Sequence, residues 1–198
     1  MADNDLNRSE QLANQVIQDC SEAGAHHPIG QALRNLASIA RRPGDNAEAL
    51  EFLHEAVALY RKLDDPWQLR VLLVELAEME ATMGRGAEAL HALAESTHLD
   101  EQIGLLPERS YVLAMAAFVH LACGQRALAV GALGAYDAHP PGGVRWVPAN
   151  VGYGRLAETV EATRAQLDPV EVTAAEITGQ RRKLDELIDE LIIQPQKR

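Results

Sequence analysis

A few groups of side chains in this sequence have types and spacings that chemistry can use. His91, Glu95 and His98 follow one another at i, i+4 and i+7, so one helix face would present two imidazoles and a carboxylate to a metal ion. The core positions of the same stretch are Ala89, Leu90 and Leu93, and the corresponding residues forty places earlier are Glu51, Glu55 and Ala58. That pattern describes a solvated outer face, because one face alone rarely closes a ligand set. His26-His27 read as solvated turn residues, and Cys123, beside apolar Leu121 and Ala122, as a buried and inert thiol. Asp64-Asp65 reads as a turn whose second carboxylate caps a helix, not as an acid–base pair. No convergent set of titratable groups remains, so the expectation is a protein that is not an enzyme and needs no metal or cofactor.

The elements that carry these residues repeat. Residues 44–50 read GDNAEAL, residues 84–90 read GRGAEAL and residues 124–130 read GQRALAV, a step of 40. The same step relates Leu36-Ala37, Leu76-Ala77 and Ala116-Ala117, and then Leu53, Leu93 and Leu133. Each unit reads as two helices around its glycine, with Leu33, Leu36, Ala37 and Ala40 at amphipathic spacing in the first helix. Ala49 and Ala56 keep the second helix thin where it meets the first. Asp45, with Glu48 three residues on, and Asp65 before Pro66 supply N-caps.

The spacing predicts a leading helix over 5–23, helical units over 29–66, 67–106 and 107–138, and a Pro/Gly loop over 139–151 that carries Trp146. Capping helices over 152–193 follow: one to 167, a short one from Asp168-Pro169 to 178 interrupted by Gly179, and a last one over 181–193. The fold class is therefore all-α, a solenoid of helical hairpins with a C-terminal cap, forming a single domain over 1–198.

Composition limits the partners. Of 198 residues 47% are hydrophobic, enough for a core, and 18 basic against 29 acidic residues leave a formal charge of −11. That balance argues against direct nucleic-acid binding, which needs clustered positive charge. No apolar run approaches the roughly 18 residues of a membrane span, and the polar N-terminus is unlike a secretory signal, so no membrane partner is expected. Two distant cysteines give no disulfide framework and point to the cytoplasm.

The unit resembles the tetratricopeptide repeat (TPR). The resemblance rests on Leu36-Ala37, on Gly44 eight residues after the leucine, and on Ala49 and Ala56. The usual period is 34 residues and here it is 40, which implies longer second helices and linkers. The C-terminal half, with the runs 131–136 and 153–160 and the acidic-aliphatic stretch to Leu191, is similar to the end of the TPR-like sensor region of actinobacterial STAND-class ATPase and LuxR-type regulators. The chain has no GxxxxGK[ST] loop and no basic recognition helix, so what the resemblance implies is a sensor part and not an ATPase or DNA reader.

In TPR stacks the first helices line the concave side. The resemblance thus implies a partner-binding groove formed by Arg34, Asn35 and Ser38, by Glu75 and Glu78, and by Tyr111, Met115 and Phe118. The first unit offers cationic and amide donors, the third an apolar platform, a gradient suited to an amphipathic peptide or protein helix. The reverse arrangement, in which the C-terminal helices fill the groove, remains open, as does a small-molecule pocket between the third unit and the cap near Tyr111, Phe118 and Tyr153. Self-association as a homodimer, through the terminal helix or the N-terminal end, is a further expectation.

Overall fold

The computed structural model describes residues 2–41, 45–105, 111–139, 153–181 and 183–193; for 2–5, 153–157 and 176–181 it describes the backbone alone. Among these residues there are helices and turns and no strand. The elements are α1 (Ala2–Ala23), α2 (His26–Arg41), α3 (Asn46–Lys62), α4 (Pro66–Thr82), α5 (Gly86–Gln102), α6 (Tyr111–Ala122), α7 (Arg126–Ala138), α8 (Tyr153–Arg164), α9 (Pro169–Arg181) and α10 (Leu184–Ile188). A π-helical turn over Asp189–Ile193 continues α10. The second helices α3, α5 and α7 begin at Asn46, Gly86 and Arg126, which keeps the step of 40 read from the sequence. Gly44, Pro107, the loop with Trp146 and the tail Lys197-Arg198 lie outside the described residues.

Local chemistry sets these boundaries. The Asp45 carboxylate accepts the Glu48 amide at 3.1 Å, and Asp65 Oδ1 accepts the amides of Trp67 and Gln68, both at 3.1 Å. Each bond satisfies a first-turn N–H that has no partner inside its helix. A residue with positive φ ends α1, α3, α4, α5 and α6: Gly24, Asp64, Gly84, Gly104 and Gly124. At Gly84 (φ 76°) the helix can stop within one residue, because no Cβ opposes the left-handed conformation. Asp64 (φ 53°) does the same with a side chain, as short polar residues can.

Several boundaries shift from the sequence reading, with α1 starting at Ala2, α8 ending at Arg164 and α10 starting at Leu184, and two further differences have a clear local cause. His26-His27-Pro28 is not an exit turn but the first turn of α2, where the missing proline N–H costs nothing. Gly179 does not interrupt α9, which runs on to Arg181; one glycine costs a helix only about 1 kcal/mol.

The helices pack as sequential neighbours, α2 on α3, α4 on α5 and α6 on α7, with α1 against α2 and α3 against α4 joining the units. The core runs through all three units, with Leu53, Leu72, Leu73, Leu93, Leu113 and Met115 at most 2% exposed. Burying each such side chain contributes roughly 1.5–3 kcal/mol. At the C-terminal end α8 and α9 pack on α7, while α10 touches α7 and the π-helical turn touches α5 and α6. Leu187, Ile188, Leu191 and Ile192 are thereby buried in the same core as the third unit. No helix among the described residues is long and apolar enough to cross a membrane.

Candidate functional site

The first helices α2, α4 and α6 carry the residues singled out for a groove, and the step of 40 aligns them. Positions 34, 74 and 114 hold Arg, Val and Ala; positions 35, 75 and 115 hold Asn, Glu and Met; positions 38, 78 and 118 hold Ser, Glu and Phe. The face is polar at the first unit and apolar at the third.

In the first two units the polar groups find one another across α2 and α4. Arg34 Nε donates to both Glu75 carboxylate oxygens, at 2.9 and 3.0 Å, and Nη2 donates to Glu75 Oε1 as well. Arg41 Nη2 donates to Glu78 Oε1 at 2.7 Å, and Gln31 Nε2 to Gln68 Oε1 at 3.0 Å. Glu78 is buried, so its ion pair is needed to keep a carboxylate there. Hydrogen bonding to Glu75 raises the Arg34 pKa above its already high value, which keeps the guanidinium charged. Asn35 and Ser38 are exposed between these bridges.

The third unit is closed. Tyr111 and Met115 are buried, and of the expected apolar platform only Phe118 is half-buried. α8 packs on α6 and α7 and adds Val160 to the same core. The Tyr111 hydroxyl faces a polar network instead of a groove. It donates to Asp100 Oδ2 at 3.0 Å and lies 3.2 Å from Ser96 Oγ, while Ser96 donates to the Arg70 carbonyl and Arg70 Nη1 to Asp100 Oδ1 at 3.3 Å. Burial, with the Asp100 charge beside it, pushes the Tyr111 phenol well above its usual value. The Arg70 guanidinium also lies over the Trp67 ring, 5.6 Å from its centroid.

One buried group went unread in the sequence. His120 of α6 is fully buried, with Nε2 donating to the Leu191 carbonyl at 2.8 Å and Nδ1 lying 2.7 Å from the Gln125 side-chain oxygen. Leu191 stands in the last turn of its helix, where carbonyls have no intrahelical partner, so the bond ties the C-terminal segment to α6. The signal was a histidine inside the otherwise apolar run of α6. Arg41 and Gln68 were also missed; their separation from Glu78 and Gln31 is 37 residues, one turn short of a full repeat.

The other groups behave as structure. Glu95 accepts from Arg61 Nε at 3.0 Å, and His98 bonds Gln102 at 3.1 Å. Among the described residues no three His, Cys, Asp or Glu side chains gather to hold a metal. His27 Nε2 lies 3.0 Å from Asp65 Oδ2 and meets the Tyr60 ring edge-on. Cys123 is exposed and not buried as its neighbours suggested, because it falls just beyond the end of α6. Desolvation of its sulfur raises the thiol pKa, which lowers the thiolate fraction. A cleft of about 450 Å³ lies between α7 and α8, lined by Val130, Leu133, Gly134, Asp137, Val160, Glu161 and Arg164. It is formed neither by Tyr111 nor by Phe118, and the Tyr153 side chain lies outside the described residues.

Comparison with models of protein families, with curated proteins and with solved structures finds no match to this chain.

Proposed function

We propose that this chain is a non-catalytic protein-interaction module, a right-handed TPR-like solenoid that binds a peptide or protein partner along its first-helix face. The observation that carries this reading is the row of side chains hydrogen-bonded across α2 and α4, with Asn35 and Ser38 exposed among them. A charged partner group must compete with the Arg34–Glu75 bridge, whereas the exposed Asn35 and Ser38 lie beside it on a face whose geometry the bridges hold in place. The partner contacts are Arg34, Asn35, Ser38 and Glu75, with Phe118 as the apolar end; Glu78, Tyr111 and Met115 act from beneath. The sequence resemblance supports a place as part or relative of a bacterial transcriptional regulator, in the cytoplasm.

A peptide selected from a display library on the intact chain tests the reading by fluorescence anisotropy. Asn35→Arg and Ser38→Arg, at exposed positions, should each weaken binding at least about tenfold. Glu51→Arg and Ala58→Arg, exposed on α3, should leave it unchanged. The opposite pattern overturns the proposal.

A second reading rests on the α7–α8 cleft, where Val130, Leu133 and Val160 lie beside Arg164, so that a small carboxylate-bearing effector would pair with Arg164 against the competing carboxylates of Asp137 and Glu161. Arg164 is shared with Glu161 at 3.3 Å, so such a ligand must compete with that pair. A thermal shift produced by small carboxylic acids and lost in Arg164→Ala would favour it over the groove.

A further inference from the structure

We propose that a second copy of this chain packs antiparallel against α1, in the place that a first helix holds in every other unit. The inference is independent of the groove. α1 is related by the step of 40 to α3, so that Leu12, Ala13, Val16, Ile17 and Cys20 match Phe52, Leu53, Ala56, Val57 and Tyr60. Ala13 and Ile17 do what their counterparts do and pack on the next helix, with Ala32 and Leu36 of α2. Val16 matches Ala56 of α3 and Ser96 of α5, both fully buried, and Ser96 bonds the carbonyl of Arg70 in its own unit's first helix. Among the described residues no first helix stands there: Leu12 is 58% and Val16 37% exposed.

The charges on this stripe identify the occupant. Arg8, Leu12, Val16 and Asp19 fall along one side of α1, at i, i+4, i+8 and i+11, and all four are exposed. Arg8 is the one basic residue of α1. When two copies of the helix run antiparallel about a two-fold axis near Asn14, Leu12 meets the partner's Val16 and Arg8 meets the partner's Asp19. Each contact occurs twice, as a two-fold interface requires. The stripe is therefore self-complementary in both shape class and charge, and antiparallel is also the direction of the helix it replaces.

Sedimentation velocity over a concentration series tests this on the full chain. The wild type should dimerise with a dissociation constant on the order of 10 µM, as a small interface gives. Leu12→Asp should leave a monomer with unchanged helicity and, at concentrations well below about 10 µM, the melting temperature of the wild type. Asp19→Arg is the discriminating variant. It makes the chain less negative, so general repulsion predicts a tighter dimer, whereas the proposed pairing sets Arg8 against a cation and predicts at least about tenfold weaker association. Arg8→Asp combined with Asp19→Arg keeps the net charge and should restore the dimer. A wild type that stays monomeric up to about 200 µM, a dimer indifferent to Leu12→Asp, or one tightened by Asp19→Arg overturns the proposal.

Discussion

The two ends of the helical stack present the same problem and meet it differently. A terminal second helix has an apolar flank that a further first helix would cover. At the C-terminal end α10 and its π-helical turn come back over α5, α6 and α7, bury Leu187, Ile188, Leu191 and Ile192, and fasten the segment through His120. At the N-terminal end α1 leaves Leu12 and Val16 in water. A repeat array needs its terminal apolar faces covered, and among the described residues such a cover is seen over the C-terminal unit and not over Leu12 and Val16.

The seams between helices differ as much as the ends. At one pair of positions forty apart, the first unit sets Gly30 of α2 against the Tyr60 ring of α3, and the second sets Arg70 of α4 against Asp100 of α5. One seam is closed by shape and the other by charge. At a second pair, Glu80 of α4 is reached by His54 at 3.1 Å and Arg85 at 3.5 Å, and the matching His120 of α6 is reached by Gln125 and Leu191. The backbone register is the same; the chemistry that fills it is chosen unit by unit.

Substitutions at the ends should give the largest difference. Leu187→Asp places a carboxylate in the sealed end and should cost about 4 kcal/mol or unfold the chain, whereas Leu12→Asp should cost only the roughly 1 kcal/mol that dimerisation contributes at calorimetric concentrations. Equal effects in differential scanning calorimetry would erase the contrast between the ends. Next come the seams. A methyl at Gly30 overlaps the ring of Tyr60, which is 1% exposed and cannot swing away, so Gly30→Ala should destabilise by about 2 kcal/mol despite the gain in helix propensity. A methyl at Gly86 overlaps only the Cys123 sulfur, an exposed side chain free to rotate, so Gly86→Ala should fall within about 0.5 kcal/mol of the wild type in urea denaturation.

The polar seam has a modest effect at neutral pH, and alkali enlarges it. Tyr111→Phe removes one bond to Asp100 and should cost about 1 kcal/mol. Burial raises the Tyr111 pKa in the fold, so the native state holds its proton where the unfolded chain, near the ordinary phenol value of about 10, has lost it. The stabilisation is complete below that value and is lost as pH rises above it. Tyr60, also raised by burial, acts in the same sense. A phenolate absorbance titration should therefore show late-ionising tyrosines coupled to alkaline unfolding, with a shallower loss of stability in Tyr111→Phe.

The structure shows which signals in the sequence were sufficient. The starts of α3, α5 and α7 followed from the glycine step of 40, and the caps at Asp45 and Asp65 from residue types a few places apart. Pro28 and Gly179 misled the boundary reading, because proline in a first turn and one glycine within a helix are both tolerated. The residues singled out for a groove lie on α2, α4 and α6 as the repeat placed them, and the partners of Arg34, Glu75 and Glu78 were not read. Nothing local to Arg34 distinguishes a side chain that waits for a peptide from one already bound to Glu75.

What the sequence determined by itself is the all-helical character, the step of 40, the caps, and the gradient from polar to apolar along the first-helix face. These depend on hydrogen bonds, φ preferences and periodicity within a few residues, and such interactions are written where they act. Tertiary structure alone decided that Arg34 and Arg41 take Glu75 and Glu78, that Tyr111 turns inward to Asp100, and that His120 holds Leu191, 71 residues away. Those pairings depend on which helix faces meet, and that is settled by packing of the whole chain, where a buried polar group must find whatever partner the neighbouring helix offers.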